Sequence, residues 1–293
     1  MSKPKILIQL DSDPQPSVFD AVVAADSGVE HLFRHGGVAP EQVRDLVHGA
    51  MFTRGPEDLR NTALFIGGSQ VQAGQVLLDQ VRECFFGPMR VSVMLDSNGA
   101  NTTAAAAVLA AARHVPLNGS TALVLAGTGP VGQRAARLLA RQGAAVKIAS
   151  RSLQRAEQVC RELAQKIPHA SLAPVTSASA EETAKALEGA QVVISAGAAG
   201  VELLPRYVRM GCPTLKAAID LNAVPPLGIA GVEVMDRAEM REGVICYGAI
   251  GVGGTKMKIH KAAITRLFAT NDQVLDAEEI FAIGQELETA SEC

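Results

Sequence analysis

Ala126-Gly127-Thr128-Gly129-Pro130-Val131-Gly132 restricts what this chain can fold into more than any other stretch. It follows the apolar run Thr121-Ala122-Leu123-Val124-Leu125, which reads as a buried strand, and opens the helical run Gln133 to Arg141. A glycine-rich turn between strand and helix is the context of a dinucleotide-binding fingerprint. In that fingerprint Gly127 permits the tight turn, Gly129 lets the backbone approach a pyrophosphate, and Gly132 brings helix and strand close. The helix N-terminus adds unpaired N–H groups and positive partial charge. Pro130 fits an early helix position where the missing N–H costs little, so Thr128, Val131 and Gly132 are the neighbours expected at the phosphates.

The strand Ala145-Val146-Lys147-Ile148-Ala149 ends in Ser150-Arg151-Ser152. An NAD site commonly places an acidic residue about 20 residues past the glycines, and none stands here. Arg151 can pair with a 2′-phosphate and stack on adenine, and the two hydroxyls can donate to its oxygens. NADP is the expected cofactor, with NAD not excluded by these residues.

With 48% hydrophobic and 19% charged residues, the chain has ample material for a core, and 293 residues suggest about two domains. No apolar run approaches the roughly 18 residues of a membrane span, and the first residues lead into a strand pattern; a cytoplasmic protein without membrane contact is expected. Five scattered cysteines form no C-x-x-C pair, which argues against a disulfide framework or a thiolate metal site. His31 and His35 have a spacing that would suit a metal on a helix, but no third ligand motif accompanies them, and no metal is expected. A net charge of −3 without a basic stretch, and the absence of Trp, argue against nucleic acid as a partner.

Strand patterns at Lys5–Leu10, Thr62–Ile66 and Arg90–Leu95 alternate with helical ones, which implies an α/β domain with a mostly parallel sheet. The third of these strands runs into Asp96-Ser97-Asn98-Gly99-Ala100-Asn101-Thr102-Thr103, ahead of an Ala-rich helix. Open α/β sheets bind ligands at such carboxyl ends, so Asp96 to Thr103 is the candidate substrate stretch; a loop and helix cap would use the same residue types. Ser17 and Asp20 show capping-box-like spacing. In the second half, Ser195, Ala196 and Gly197 end another strand and form a candidate cofactor wall. Asp220 and Asn222 read either as site polars, with Asn222 toward the cofactor, or as organisers of the turn before Pro225-Pro226. Gly248 to Gly254 reads as a flexible turn from which Lys256 can point into a cleft, although an exposed helix lysine would look the same. The expected organisation is an N-terminal α/β domain over 1–115, completed by 269–293 as the final helix returns to it, and a Rossmann-type domain over 116–268.

Taken together, these stretches resemble the bacterial NADP-dependent methylene-tetrahydromethanopterin dehydrogenases. The resemblance rests on Ser17-Val18-Phe19-Asp20, Phe52-Thr53-Arg54-Gly55, Met94 to Gly99 with Asn101 to Ala104, Leu125 to Gly132, Asn222 to Ile229, Gly248 to Gly251 with Lys256, and Asp276-Ala277-Glu278-Glu279. It implies hydride transfer from the methylene bridge of a reduced pterin to NADP, with methylene-tetrahydrofolate as a second carrier. It assigns Asp96, Asn98 and Thr102 to the pterin, Lys256 to orienting or polarising its ring, and Asp20 to the same site. A homo-oligomer is expected. Two other readings fit the nucleotide half: a shikimate-type NADP-dependent dehydrogenase, and an NADP-responsive binding protein without catalysis.

Overall fold

The structure is a computed structural model that describes residues 3–292. The chain divides into two compact units, residues 1–102 with 257–293, and residues 103–256. The division falls inside two helices, whereas the boundaries expected from sequence lie in the loops at their far ends.

The first unit begins with β1 (Ile6–Asp11), α1 (Val18–Asp26), β2 (His31–His35) and α2 (Pro40–Phe52). It continues with β3 (Thr62–Gly67), α3 (Val71–Glu83), β4 (Ser92–Leu95) and the start of α4 (Ala100–Ala112). β1, β3 and β4 are almost wholly buried apolar runs, as strands covered on both faces must be. Leu10, Leu64, Ile66 and Val93 from the sheet pack with Val43, Val47 and Met51 of α2 and Leu77, Leu78 and Val81 of α3. β2 is an exposed strand at the sheet edge, paired in parallel with β1, and its polar sequence hid it from the periodicity. His31 and His35 lie on this strand, so the helical spacing that suited a metal does not exist.

The second unit runs through β5 (Thr121–Leu125), α5 (Pro130–Arg141), β6 (Ala145–Ser150), α6 (Leu153–Lys166), β7 (Leu172–Thr176), α7 (Ala180–Leu187) and β8 (Val192–Ser195). After α8 (Arg206–Met210) come β9 (Ala217–Asp220), β10 (Arg237–Arg241), β11 (Val244–Tyr247) and α9 (Ala249–Arg266). The last turns of α9, with β12 (Val274–Leu275) and α10 (Ala277–Glu292), belong to the first unit.

Both strand orders are doubly wound. The seven-stranded sheet is β10-β11-β9-β8-β5-β6-β7, parallel except for β10. Counted from β5 and without β10, this is the order 3-2-1-4-5-6 of a Rossmann fold, which reverses between β5 and β8. The five-stranded sheet is β12-β4-β3-β1-β2, all parallel, and reverses between β1 and β3. Ligands of such sheets sit outside the strand carboxyl ends at the reversal. No helix among the described residues is long and apolar enough to cross a membrane.

Candidate active site

In the second unit the reversal point is built by the glycine turn. Ala126 takes the left-handed conformation (φ 53°), so the turn's positive φ falls on an alanine and not on Gly127. Gly127 is required for another reason: a Cβ there would stand 2.8 Å from Ile148 Cγ2 and 2.9 Å from Val124 O. At Gly132 it would stand 2.6 Å from Ala126 O and 2.8 Å from Gly127 Cα, which shows how closely α5 approaches the turn. Gly129 differs. A Cβ there would come no nearer than 3.3 Å to Ala126 O and 3.9 Å to Ala196 O, so its missing side chain leaves a space beside the start of α5. Gly129 is the N-cap of α5, makes no side-chain cap bond, and is followed by Pro130 in the first turn. Those helix N–H groups and that space fit a pyrophosphate.

Thr128 lies over the end of β6, its hydroxyl 3.5 Å from Ser150 Oγ. Ser150 is buried and accepts from Ser152 N at 3.2 Å, while Ser152 caps α6 by accepting from Arg155 N at 3.4 Å. Both serines therefore shape the loop that presents Arg151, which is exposed. Ala196 and Gly197 are half-buried, whereas Ser195 is fully buried. Asn222 is buried as well: Oδ1 accepts from Val224 N at 2.9 Å and Nδ2 donates to Pro226 O at 3.2 Å. Asp220 accepts from Asn222 N at 3.1 Å and Ile229 N at 2.8 Å, and burial holds its carboxyl above the usual range. Asp220 and Asn222 thus organise the 220–229 loop.

In the first unit, Asp96 directly follows β4 and its carboxylate caps α4. Its Oδ1 accepts from Asn101 N at 2.9 Å and Thr102 N at 3.0 Å, and its Oδ2 from Thr102 Oγ1 at 2.7 Å. Asp96 and Thr102 are buried, and α4 begins at Ala100, earlier than its polar residues suggested, because this carboxylate satisfies the first-turn donors. Asn98 behaves differently: it is exposed and left-handed (φ 54°), held by its N–H donating to Gly68 O at 2.7 Å. Of the three substrate candidates, it is the one at the surface.

Asp20 sits in the first turn of α1, its N–H donating to Ser17 Oγ at 3.3 Å. Burial pushes its carboxyl up to about 6; the His260 ring opposes this, and the negative charge of Asp96 adds to it. Two residues at this strand-end cluster escaped the sequence reading. Asp11 ends β1, fully buried, and accepts from Asp13 N at 2.9 Å and Ser17 N at 3.3 Å; the polar triplet Asp11-Ser12-Asp13 after an apolar run was its signal. His260 lies four residues beyond Lys256 on α9, the spacing of one helix face.

Lys256 does not follow a flexible turn. α9 already begins at Ala249, and Lys256, half-buried, is in its third turn. Two of the glycines serve packing: a Cβ on Gly248 would collide with Glu233 O, and one on Gly251 with Asp236 O, whereas a Cβ on Gly253 or Gly254 would meet nothing within 4 Å. Close approach of a helix to a loop selects the same residue as a flexible turn does.

Residues 18–98 match the family described as methylene-tetrahydromethanopterin dehydrogenase, N-terminal, and residues 109–223 match shikimate / quinate 5-dehydrogenase. The bifunctional protein MdtA of Methylorubrum extorquens is 43% identical over 98% of this chain and 100% of its own length. The NAD(P)-dependent methylenetetrahydromethanopterin dehydrogenase of the same organism is 29% identical over 92% of this chain and 94% of its own. Among solved structures, a ligand-free 5-ketofructose reductase of Gluconobacter shares the fold, with a TM-score of 0.55 at 14% identity, covering 97% of this chain and 99% of that one. The shikimate-type match spans much of the nucleotide unit, whereas the other match falls on the unit that carries Asp20 and Asn98. On the full-length relationship to its 43% identical relative, and on the family match in its first unit, this chain belongs to the methylene-tetrahydromethanopterin dehydrogenase family.

Proposed function

We propose that the protein oxidises the methylene bridge of methylene-tetrahydromethanopterin to methenyl by hydride transfer to NADP, and that it also accepts methylene-tetrahydrofolate. The observation that carries this reading is the relationship over both units, since the nucleotide unit alone would suit many dehydrogenases. When bound, NADP supplies the hydride acceptor. The space at Gly129 and the first N–H groups of α5 would hold its pyrophosphate, and the exposed Arg151, presented by Ser150 and Ser152, its 2′-phosphate. Ala196 and Gly197 would flank the cofactor, with Ser195 and Asn222 supporting that wall from behind.

Removing hydride from an N–CH2–N bridge leaves a resonance-stabilised cation, so no proton must leave first and no general base is required. Asn98 would grip the pterin, with Asp96 and Thr102 fixing the loop that presents it. Lys256 would orient or polarise the ring. Asp20, ionised above about pH 6, would supply negative charge where positive charge develops. Positioning of the donor carbon provides most of the acceleration, for which roughly 7–11 kcal/mol is available. A homo-oligomer located in the cytoplasm belongs to the same proposal.

The test is to mix purified protein with NADP and each methylene carrier and record NADPH absorbance. Reduction with the tetrahydromethanopterin derivative is expected, at higher kcat/KM than with the folate. Reduction only with a shikimate-type alcohol, or NADP binding without turnover of any carrier, would replace this reading.

A further inference from the structure

Asp276 ties the end of the chain to the loop that presents Asn98. β12 pairs with β4 so that Leu275 stands opposite Met94, and the next residue, Asp276, comes alongside the end of β4. Asp276 is 7% exposed, and its Oδ1 accepts from Asn101 Nδ2 at 3.0 Å. The same amide nitrogen donates to Leu95 O at 2.6 Å, while Asn101 N donates to Asp96 Oδ1 at 2.9 Å. Both amide protons of Asn101 are thereby committed, one to the residue before the loop and one to Asp276. These bonds close the base of the loop from Asp96 to Asn101. Further along it, Ser97 Oγ donates to Gly67 O and Asn98 N to Gly68 O, each at 2.7 Å.

Capping explains part of this residue's place. Asp276 immediately precedes α10, its N–H donates to Glu279 Oε2 at 3.1 Å, and its carbonyl accepts from Ile280 N at 3.0 Å. A cap needs only a short side-chain oxygen, which serine or threonine supplies as well as aspartate. Reaching Asn101 takes the further bond that aspartate and asparagine have and serine lacks. We propose that Asp276 is a positioning residue for the pterin site: it fixes Asn101, and through Asn101 the turn that offers Asn98 to the substrate. The proposal rests on the reading that Asn98 grips the pterin. Asn98 is left-handed, at φ 54°, and a residue stays in that region where its surroundings over-determine it. Loosening the base of the loop releases Asn98 to other conformations and misplaces its side chain.

The test uses the full-length protein carrying Asp276→Ser, which keeps a cap oxygen but falls short of Asn101, or Asp276→Asn, which keeps both. Asp276→Thr, an equally short cap, takes the place of the serine variant should that one fail to fold. Asn98→Ala is measured beside them. For each, KM and kcat with methylene-tetrahydromethanopterin, the Kd for NADP and the deuterium exchange of residues 95–101 are recorded. Asp276→Ser should raise KM for the carrier about tenfold, as a misplaced binding group does, and speed exchange over 95–101 with the NADP Kd unchanged. Asp276→Asn should stay within about twofold of the wild type, because its amide oxygen accepts from Asn101 as the carboxyl does. A folded serine variant with an unchanged KM beside an impaired Asn98→Ala overturns the proposal, and so does an asparagine variant as impaired as the serine one. Impairment by serine with Asn98→Ala unimpaired overturns the route through Asn98. Faster exchange with KM unmoved in both Asp276→Ser and Asn98→Ala supports the hold of Asp276 on the loop and overturns the reading of Asn98.

Discussion

Gly129→Ala and Gly132→Ala, three positions apart, should separate cofactor binding from stability. At Gly129 the backbone angles (φ −78°, ψ 167°) are open to any L-residue, and the added Cβ makes one tight contact, with Ala126 O at 3.3 Å, within ordinary reach of a small adjustment, and an ordinary one with Ala196 O at 3.9 Å. Restricting the unfolded chain contributes about 0.4–1 kcal/mol, which offsets that tight contact, so the net change in stability should lie near zero. The methyl group would nevertheless occupy the space assigned to the pyrophosphate. Losing one charged hydrogen bond costs about 1.5–3 kcal/mol, a weakening of NADP by about 10–150-fold. At Gly132 both obstacles, at 2.6 and 2.8 Å, are backbone atoms that cannot rotate away. Overpacking there should exceed the gain in helix propensity by about 1–2 kcal/mol, lowering Tm by roughly 2–8 °C. Thermal unfolding and a calorimetric NADP titration on each variant give the two quantities. An unchanged Kd in Gly129→Ala, or a Tm as low as that of Gly132→Ala, would refute the assignment of that space to phosphate.

Arg151→Ala should weaken NADP by about 1.5–3 kcal/mol and leave NAD nearly untouched, as competing titrations would report. Asn98→Ala should impair turnover of the methylene carrier with NADP affinity retained, whereas Asp96→Ala, which strips three hydrogen bonds from a buried cap, should also lower stability by about 2–4 kcal/mol in denaturant unfolding. Lys256→Ala should slow hydride transfer at least about tenfold, or about 1.4 kcal/mol in barrier, without erasing a limb of the pH profile. Asp20→Asn should stabilise the fold above about pH 6 and lose that advantage below about pH 4, in thermal melts across pH. Its native carboxyl titrates near 6 against 3.8 when unperturbed, so the wild type binds the extra proton when folded and loses stability as pH rises through that window.

The turn after β5 was legible because its determinants are local: an apolar strand, three glycines at fixed spacing and an amphipathic helix occupy one continuous stretch. The return of the final helix to the first unit was legible from its capping residues and apolar face. Elsewhere one residue type served two purposes. Gly248 and Gly251 read as flexibility until the carbonyls of Glu233 and Asp236 are seen to require them beside and inside a helix. Asn222 reads as a ligand until both ends of its amide are found spent on its own loop. The stacking of His260 on Phe65, 195 positions earlier in the chain, is a contact that no local pattern carries.

Because β12 and α10 come from the end of the chain, the two units cannot be finished in the order in which they begin. On the ribosome, residues 103–256 form an unbroken stretch that is synthesised whole before the first unit is complete. The five-stranded sheet must meanwhile keep the edge of β4 uncovered until Val274 and Leu275 arrive to pair with Val93 and Met94. Asn101 likewise waits for Asp276, 175 residues later, to accept its amide proton at 3.0 Å. The nascent chain therefore carries an incomplete parallel sheet through most of its synthesis, and damage to the last few dozen residues would strike the unit encoded first.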